Sequence, residues 1–206
     1  MSPVTGRGSA AGPVGQTGRI ADLHLIPTGY ERLLPPTVQM TVRARRRALA
    51  NGITGRVLDL GGAESHRSLW NGIDARVTIL DGVADPTLLS LVDRGEPFDT
   101  VVSVLQLATA PDLPGTLSRL RRLLAPDGTL RFLETGRLVG AVGRAQRLAA
   151  PLVTMSTGIR VTRDIPAELR ASGLSVTSLE RHRTSTAQWW LRVLVEGSAH
   201  PALPPA

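Results

Sequence analysis

Arg56-Val-Leu-Asp-Leu-Gly-Gly-Ala-Glu-Ser65 is the stretch on which the fold turns. An apolar run reaches Asp59 and bends at once on Gly61 and Gly62. A buried parallel strand carries the backbone to the sheet edge, and residues without side chains let it approach a ligand closely. The stretch therefore reads as the first strand of an α/β sheet, running into a nucleotide-binding turn. Two positions where a fully formed turn repeats glycine hold Ala63 and Ser65 instead.

The flanking sequence alternates strand and helix patterns. Strands are expected at 56–60, 76–80, 99–105 and 129–134, and helices at 38–52, 65–71, 85–93, 113–124, 137–151 and 164–172. Thr37 is the expected N-cap of the first helix, and Asn51-Gly52 its stop. Two closing strands, 174–180 and 189–195, have no helix between them and are expected to pair antiparallel. The predicted fold is α/β: a Rossmann-like, doubly wound, mostly parallel sheet with an antiparallel C-terminal strand pair. Only 16 residues separate Asp81 from Phe98. That is room for one helix and not for a further strand, so one edge strand is expected to be missing.

Residues 1–19 are rich in Gly, Ser and Pro and read as a disordered arm. Residues 20–197 read as one domain, and 198–206 as a flexible tail. The 206-residue chain carries no Cys and no Lys; all 24 basic residues are Arg, for a net charge of +7. Without Cys, disulfide and thiol chemistry are excluded. With high Ala, Gly and Pro, the Arg bias suggests a GC-rich bacterial coding sequence. No apolar run reaches the roughly 18 residues of a membrane span, and the N-terminus lacks the apolar core of a signal peptide. The expectation is a cytoplasmic protein without a membrane span. The run Arg43-Ala-Arg-Arg-Arg47 has no aromatic partners and spreads around a helix, so it reads as a solvated face and no nucleic-acid partner is expected. No His, Asp or Glu cluster has metal-ligand spacing.

In an open α/β sheet, ligands bind at the carboxyl ends of the strands. The first strand ends at Asp59-Leu-Gly61 and the second at Asp81, where an acid can accept two hydrogen bonds from a ribose diol. The third ends near Ser103–Gln106 and the fourth at Glu134. His66 follows the glycine turn. Glu134 and His66 are candidates for lining a substrate pocket.

Read in order, Val57-Leu-Asp-Leu-Gly61, Val77-Thr-Ile-Leu-Asp81, Phe98-Asp-Thr-Val-Val-Ser-Val-Leu-Gln-Leu-Ala108 and Leu120-Arg-Arg-Leu-Leu-Ala-Pro-Asp-Gly-Thr-Leu-Arg-Phe-Leu-Glu134 resemble the class I S-adenosylmethionine-dependent methyltransferases. They are most similar to the ubiquinone/menaquinone-biosynthesis-type branch. The resemblance covers about residues 40–195. It implies that S-adenosylmethionine is the cofactor and that a methyl group passes to a small-molecule acceptor. By the same resemblance, Asp59 stands near the methionine moiety, Gly61 and Gly62 admit the cofactor, and Asp81 holds the ribose hydroxyls. Ser103 and Leu105, with the rest of 103–106, line the floor beneath the sulfonium. Asp93 is the acid nearest in sequence to the family's adenine contact. The acceptor pocket falls to residues 20–50 and 137–165, and a homodimer is a further expectation. Ala63, Ser65 and the short 82–97 link all fall on the cofactor pocket. They motivate the alternative: an inactive methyltransferase-like binding or scaffold protein with its pocket filled by side chains such as Trp70 or His66. A nicotinamide-dependent enzyme fits less well, because the glycine spacing suits a pyrophosphate poorly and a chain without Lys has no Tyr/Lys pair.

Overall fold

The computed structural model describes residues 34–61, 68–186 and 188–202. Six strands form one sheet in the order β2-β1-β3-β4-β6-β5. They are β1 (Gly55–Asp59), β2 (Ala75–Ile79), β3 (Phe98–Val104), β4 (Leu124–Thr135), β5 (Leu174–Arg183) and β6 (Val193–Pro201). β2, β1, β3 and β4 run parallel. β6 pairs antiparallel with both β4 and β5. This is the expected mixed sheet, with β2 at one edge and, among the described residues, no strand beyond it. Between β2 and β3 the chain makes only α2 (Thr87–Arg94).

Both faces of the sheet are covered, and the period-2 alternation of the strands divides the core accordingly. Leu58 and Leu60 of the first strand region, with Leu130 and Phe132 of β4, face α2, α3 (Leu113–Leu123) and α5 (Ile165–Ala171), meeting Leu88, Leu117 and Leu169. Val57, Val102, Val104 and Leu133 face α1 (Pro36–Ala50) and α4 (Gly140–Thr157), meeting Val38, Val42 and Val153. Short aliphatic side chains fill both layers. The two phenylalanines, Phe98 and Phe132, lie in the first, where both are almost wholly buried.

Several boundaries differ from the sequence expectation. α1 begins one residue before Thr37: Pro36 takes the first helical position, where its missing N–H costs nothing. The Thr37 hydroxyl donates instead to the Ser185 carbonyl at 2.9 Å, tying the helix start to the turn after β5. Trp189 and Trp190 do not alternate along a strand. They lie in a 3-10 turn, Trp189–Leu191, with their rings edge-on at 5.6 Å. The strand starts later, at Val193, and runs to Pro201, which pairs with Leu174. Residues 198–201, expected in the tail, are therefore strand, because β5 and β4 supply ladder partners that composition cannot show. Of the helix expected at 65–71, the described part is one 3-10 turn, Ser68–Trp70. α4 starts later than expected and passes through Pro151 to Thr157.

Gly197 of β6 lies opposite Phe132 of β4. A Cβ at position 197 would stand 2.7 Å from Phe132 Cζ and press on the Ser178 carbonyl oxygen. Gly197→Ala is expected to destabilise the chain by about 1–3 kcal/mol through overpacking, read as a lower urea midpoint with an unchanged slope.

Candidate functional site

Sheet order fixes where a ligand can enter. From β1 the chain steps outward to β2, and it returns to β3 on the other side of β1. The carboxyl ends of β1 and β3 thus border the topological switch point, the usual crevice of an open α/β sheet. Asp59, Gly61, Ser103, Leu105 and Gln106 all belong to those two ends, and Asp81 follows the neighbouring end of β2. Gly62 and His66, along with Ala63 and Ser65, lie outside the described residues.

Asp59 is fully buried. Its Oδ1 accepts the Gly61 N–H at 3.0 Å, and its Oδ2 accepts the Trp70 indole N–H at 2.8 Å. Arg46 attracts it from α1. Burial lowers the Arg46 guanidinium to about 10, and the attraction of Asp59 works against that loss. Asp59 therefore ties the end of β1 to its own turn, to the following 3-10 turn and to α1. Sequence reasoning took Arg46 for part of a solvated face. Its spacing from Val38 and Val42, in steps of four, places it on the buried stripe of the helix and was the available signal.

The turn leaving β3 is the most constrained part of the site. Leu105 has φ 58°, the only positive φ at a non-glycine among the described residues. A leucine in the left-handed region costs on the order of 1–2 kcal/mol, so the surroundings must hold it there. The Leu105 N–H donates to the Leu133 carbonyl at 2.7 Å. The bend then aims three successive N–H groups at one carboxylate. Glu134 Oε1 accepts Gln106 N–H at 3.0 Å and Leu107 N–H at 2.8 Å, and Oε2 accepts Ala108 N–H at 3.1 Å. The Ser103 hydroxyl adds a fourth bond to Oε1 at 3.0 Å.

The carbonyls of the same turn point the other way. Arg163 donates to the Leu107 carbonyl at 2.8 Å, the Arg160 backbone N–H to that of Ala108 at 3.0 Å, and the Arg160 guanidinium to those of Ala110 and Pro111. Donors go to an acid and acceptors to arginines, so this buried polar turn is satisfied on both sides. Ser103 and Glu134 were candidates for the cofactor floor and the substrate pocket. The structure brings them together, but as partners of each other. Neither exposes any surface, because their polar atoms are spent on the turn. Leu105 is almost as deeply buried. Nothing in the sequence near 160 marks the arginines as clamps, because their partners lie about fifty residues away.

Asp81 is exposed, unlike the other candidates that the structure describes. Its N–H donates to Asp85 Oδ2 at 3.1 Å, while Asp85 Oδ1 accepts the Thr87 N–H at 2.8 Å and starts α2. Partial desolvation raises the Asp85 pKa, but the bonds from Thr87 and Asp81 outweigh it and hold the carboxyl below its ordinary value. Next comes Gly82, at φ 109°. A Cβ there would stand 2.6 Å from Oε1 of Gln106. Gln106 thus reaches from the end of β3 toward the end of β2, and the backbone conformation at Gly82 is one that residues with a Cβ rarely adopt. Asp93, on α2, is exposed. Among the described residues there is no group of three His, Asp or Glu that could hold a metal ion, and no helix long and apolar enough to cross a membrane.

Burial pushes the Glu134 carboxyl up to about 7, although the bonds from Leu107, Ala108, Ser103 and Gln106 all pull it down. In the unfolded chain it titrates near 4.5. Between these values the folded state binds more protons, so stability is greatest below about 4.5 and falls as pH rises to about 7. Urea titrations from pH 5 to 8 are expected to show this fall in the wild type and a flatter profile in Glu134→Gln. Glu134→Ala strands three backbone N–H groups and a hydroxyl, and is expected to cost about 3 kcal/mol or more.

No family model matches the sequence, and no curated protein does. Solved structures do match in fold. One is from the complex between the Haloferax volcanii Trm112 methyltransferase activator and a methyltransferase: TM-score 0.59, 16% identity, 87% of this chain and 96% of that one. A second is the N-methyltransferase NodS from Bradyrhizobium japonicum, at TM-score 0.53 and 14% identity, over 84% of this chain and 97% of that one. A third is DhpI in complex with S-adenosylhomocysteine, at TM-score 0.52 and 20% identity, over 86% and 92%. The six-stranded sheet with its antiparallel C-terminal pair is the Rossmann-like fold of the class I methyltransferases.

Proposed function

We propose that the chain binds S-adenosylmethionine in the crevice between β1 and β3 and transfers its methyl group to a small, largely apolar acceptor. The observation that carries this reading is the exposed Asp81 beside a topological switch point bordered by Asp59 and by the bound-down turn at 105–108. The described residues are compatible with the cofactor. Asp81 is exposed at the end of β2, where a carboxylate can accept hydrogen bonds from ribose hydroxyls. Gly82, next in the chain, gives way to the Gln106 side chain, which joins the ends of β2 and β3 at the crevice.

When bound, S-adenosylmethionine supplies an electrophilic methyl group on its sulfonium. The protein's own work is placement. Glu134, Arg160 and Arg163 fix the turn that would form the floor, so the floor needs no ordering on binding. Asp59 fixes the start of the glycine turn, with Gly61 and Gly62 as the points of close approach. Holding a nucleophile in line with a methyl group supplies much of the acceleration in such reactions, and a general base is optional. Residues 20–50 and 137–165 fall to the acceptor side. The similarity of the sequence blocks to the ubiquinone/menaquinone-biosynthesis-type branch supports an apolar acceptor.

One observation favours the second reading, an inactive methyltransferase-like binding protein. Both oxygens of Asp59 already serve the protein, and Trp70 takes one of them. Calorimetry with S-adenosylhomocysteine separates the two. Binding to the wild type is expected, with affinity falling roughly tenfold to a hundredfold in Asp81→Ala as two charge-assisted bonds are lost. No heat with the wild type at protein concentrations of about 100 μM, above the weakest dissociation constants expected of a working cofactor site, would leave only the second reading standing.

A further inference from the structure

The described residues expose eight large apolar side chains, and five of them cluster at α4: Val139, Val142, Leu148, Leu152 and Met155. Leu148, Leu152 and Met155 are 83%, 71% and 84% exposed. They follow one another at spacings of four and three, and the exposed Ala141 and Ala145 extend the stripe toward the helix start. At 1.5 Å per residue the stripe is about 20 Å long. The opposite face, with Gly143, Gln146 and Val153, is buried against the domain. With one face already packed on the domain, the exposed apolar stripe on the other calls for a second apolar surrounding.

Charge indicates the other. Gly140–Thr157 contains no acidic residue, and Arg144 and Arg147 are exposed beside the stripe. The hydroxyls of the last turns do not need water. Ser156 donates to the Leu152 carbonyl at 2.9 Å, Thr157 to that of Val153 at 2.6 Å, and Thr154 to that of Ile159 at 3.0 Å. A second copy docked by a two-fold axis would bring four arginines together with no carboxylate from either helix. We propose that this face of α4 docks on an anionic phospholipid bilayer, with the helix lying in the interface plane. Leu148, Leu152 and Met155 enter the acyl boundary, while Arg144 and Arg147 reach the headgroup phosphates. The proposal does not depend on the methyl-transfer reading.

The full chain is sedimented with vesicles of phosphatidylglycerol and, separately, of phosphatidylcholine. The wild type is expected to pellet with the former, to stay in solution with the latter, and to be released by salt. The exposed triple variant Leu148→Ser/Leu152→Ser/Met155→Ser and the double variant Arg144→Gln/Arg147→Gln are each expected to lower vesicle partitioning by on the order of tenfold. Thermal melting of both variants like the wild type shows that the fold is kept. A wild type that ignores phosphatidylglycerol vesicles, or binds both lipids equally, overturns the proposal. So does a dimer, seen by light scattering, that the triple variant dissociates.

Discussion

A single carboxylate, buried without access to solvent, organises the centre of this protein. Among the described residues Glu134 has no countercharge in hydrogen-bonding contact, and burial alone would make it costly. It is held by three N–H donors from one turn and by the Ser103 hydroxyl of β3. The dependence runs both ways. The N–H groups of 106–108 can converge only because Leu105 takes a left-handed backbone conformation, and Leu105 can hold it only because the carboxylate rewards the bend. Arg160 and Arg163 then have carbonyls to bind, and through them the segment after α4 is fastened to the sheet. Ser103, the end of β3, the start of α3 and the approach to α5 all take their positions around that acid.

Asp59 plays a smaller version of the same role at the neighbouring strand. Both acids were legible as strand-end residues, since an apolar β run ending in Asp or Glu at the ligand edge is a strong pattern. Their partners were not. Period-2 and period-3.6 patterns report which face a residue lies on, not which backbone N–H it will meet. Glu134 meets a turn twenty-six to twenty-eight residues away, and Arg163 meets one more than fifty away. Such pairings depend on tertiary register, which no local window contains.

The fold was more legible than the site for a related reason. Sheet topology follows from the order of apolar runs and from the length of the links between them. The 16-residue link after Asp81 was enough to remove a strand. Site function depends on whether an acid faces solvent or the interior, and here that divides the candidates. Asp81 is exposed, whereas Asp59, Ser103 and Glu134 are internal. The misread Arg46 shows the limit on the other side. The run Arg43-Ala-Arg-Arg-Arg47 looks uniform in sequence, although Arg46 occupies the buried stripe of its helix.

The absent strand has a consequence for how the protein avoids sticking to itself. Removing a strand from the border of a sheet leaves a bare row of N–H and C=O groups, a template for another chain. The border left behind is β2, only five residues long and interrupted by the charge of Arg76. The opposite border, β5, is twice that length, and its last four residues are Glu180-Arg181-His182-Arg183. One margin is too short to recruit a partner strand, and the other is guarded by charge. A sheet can lose an outer strand in this way and still offer another chain little edge to extend.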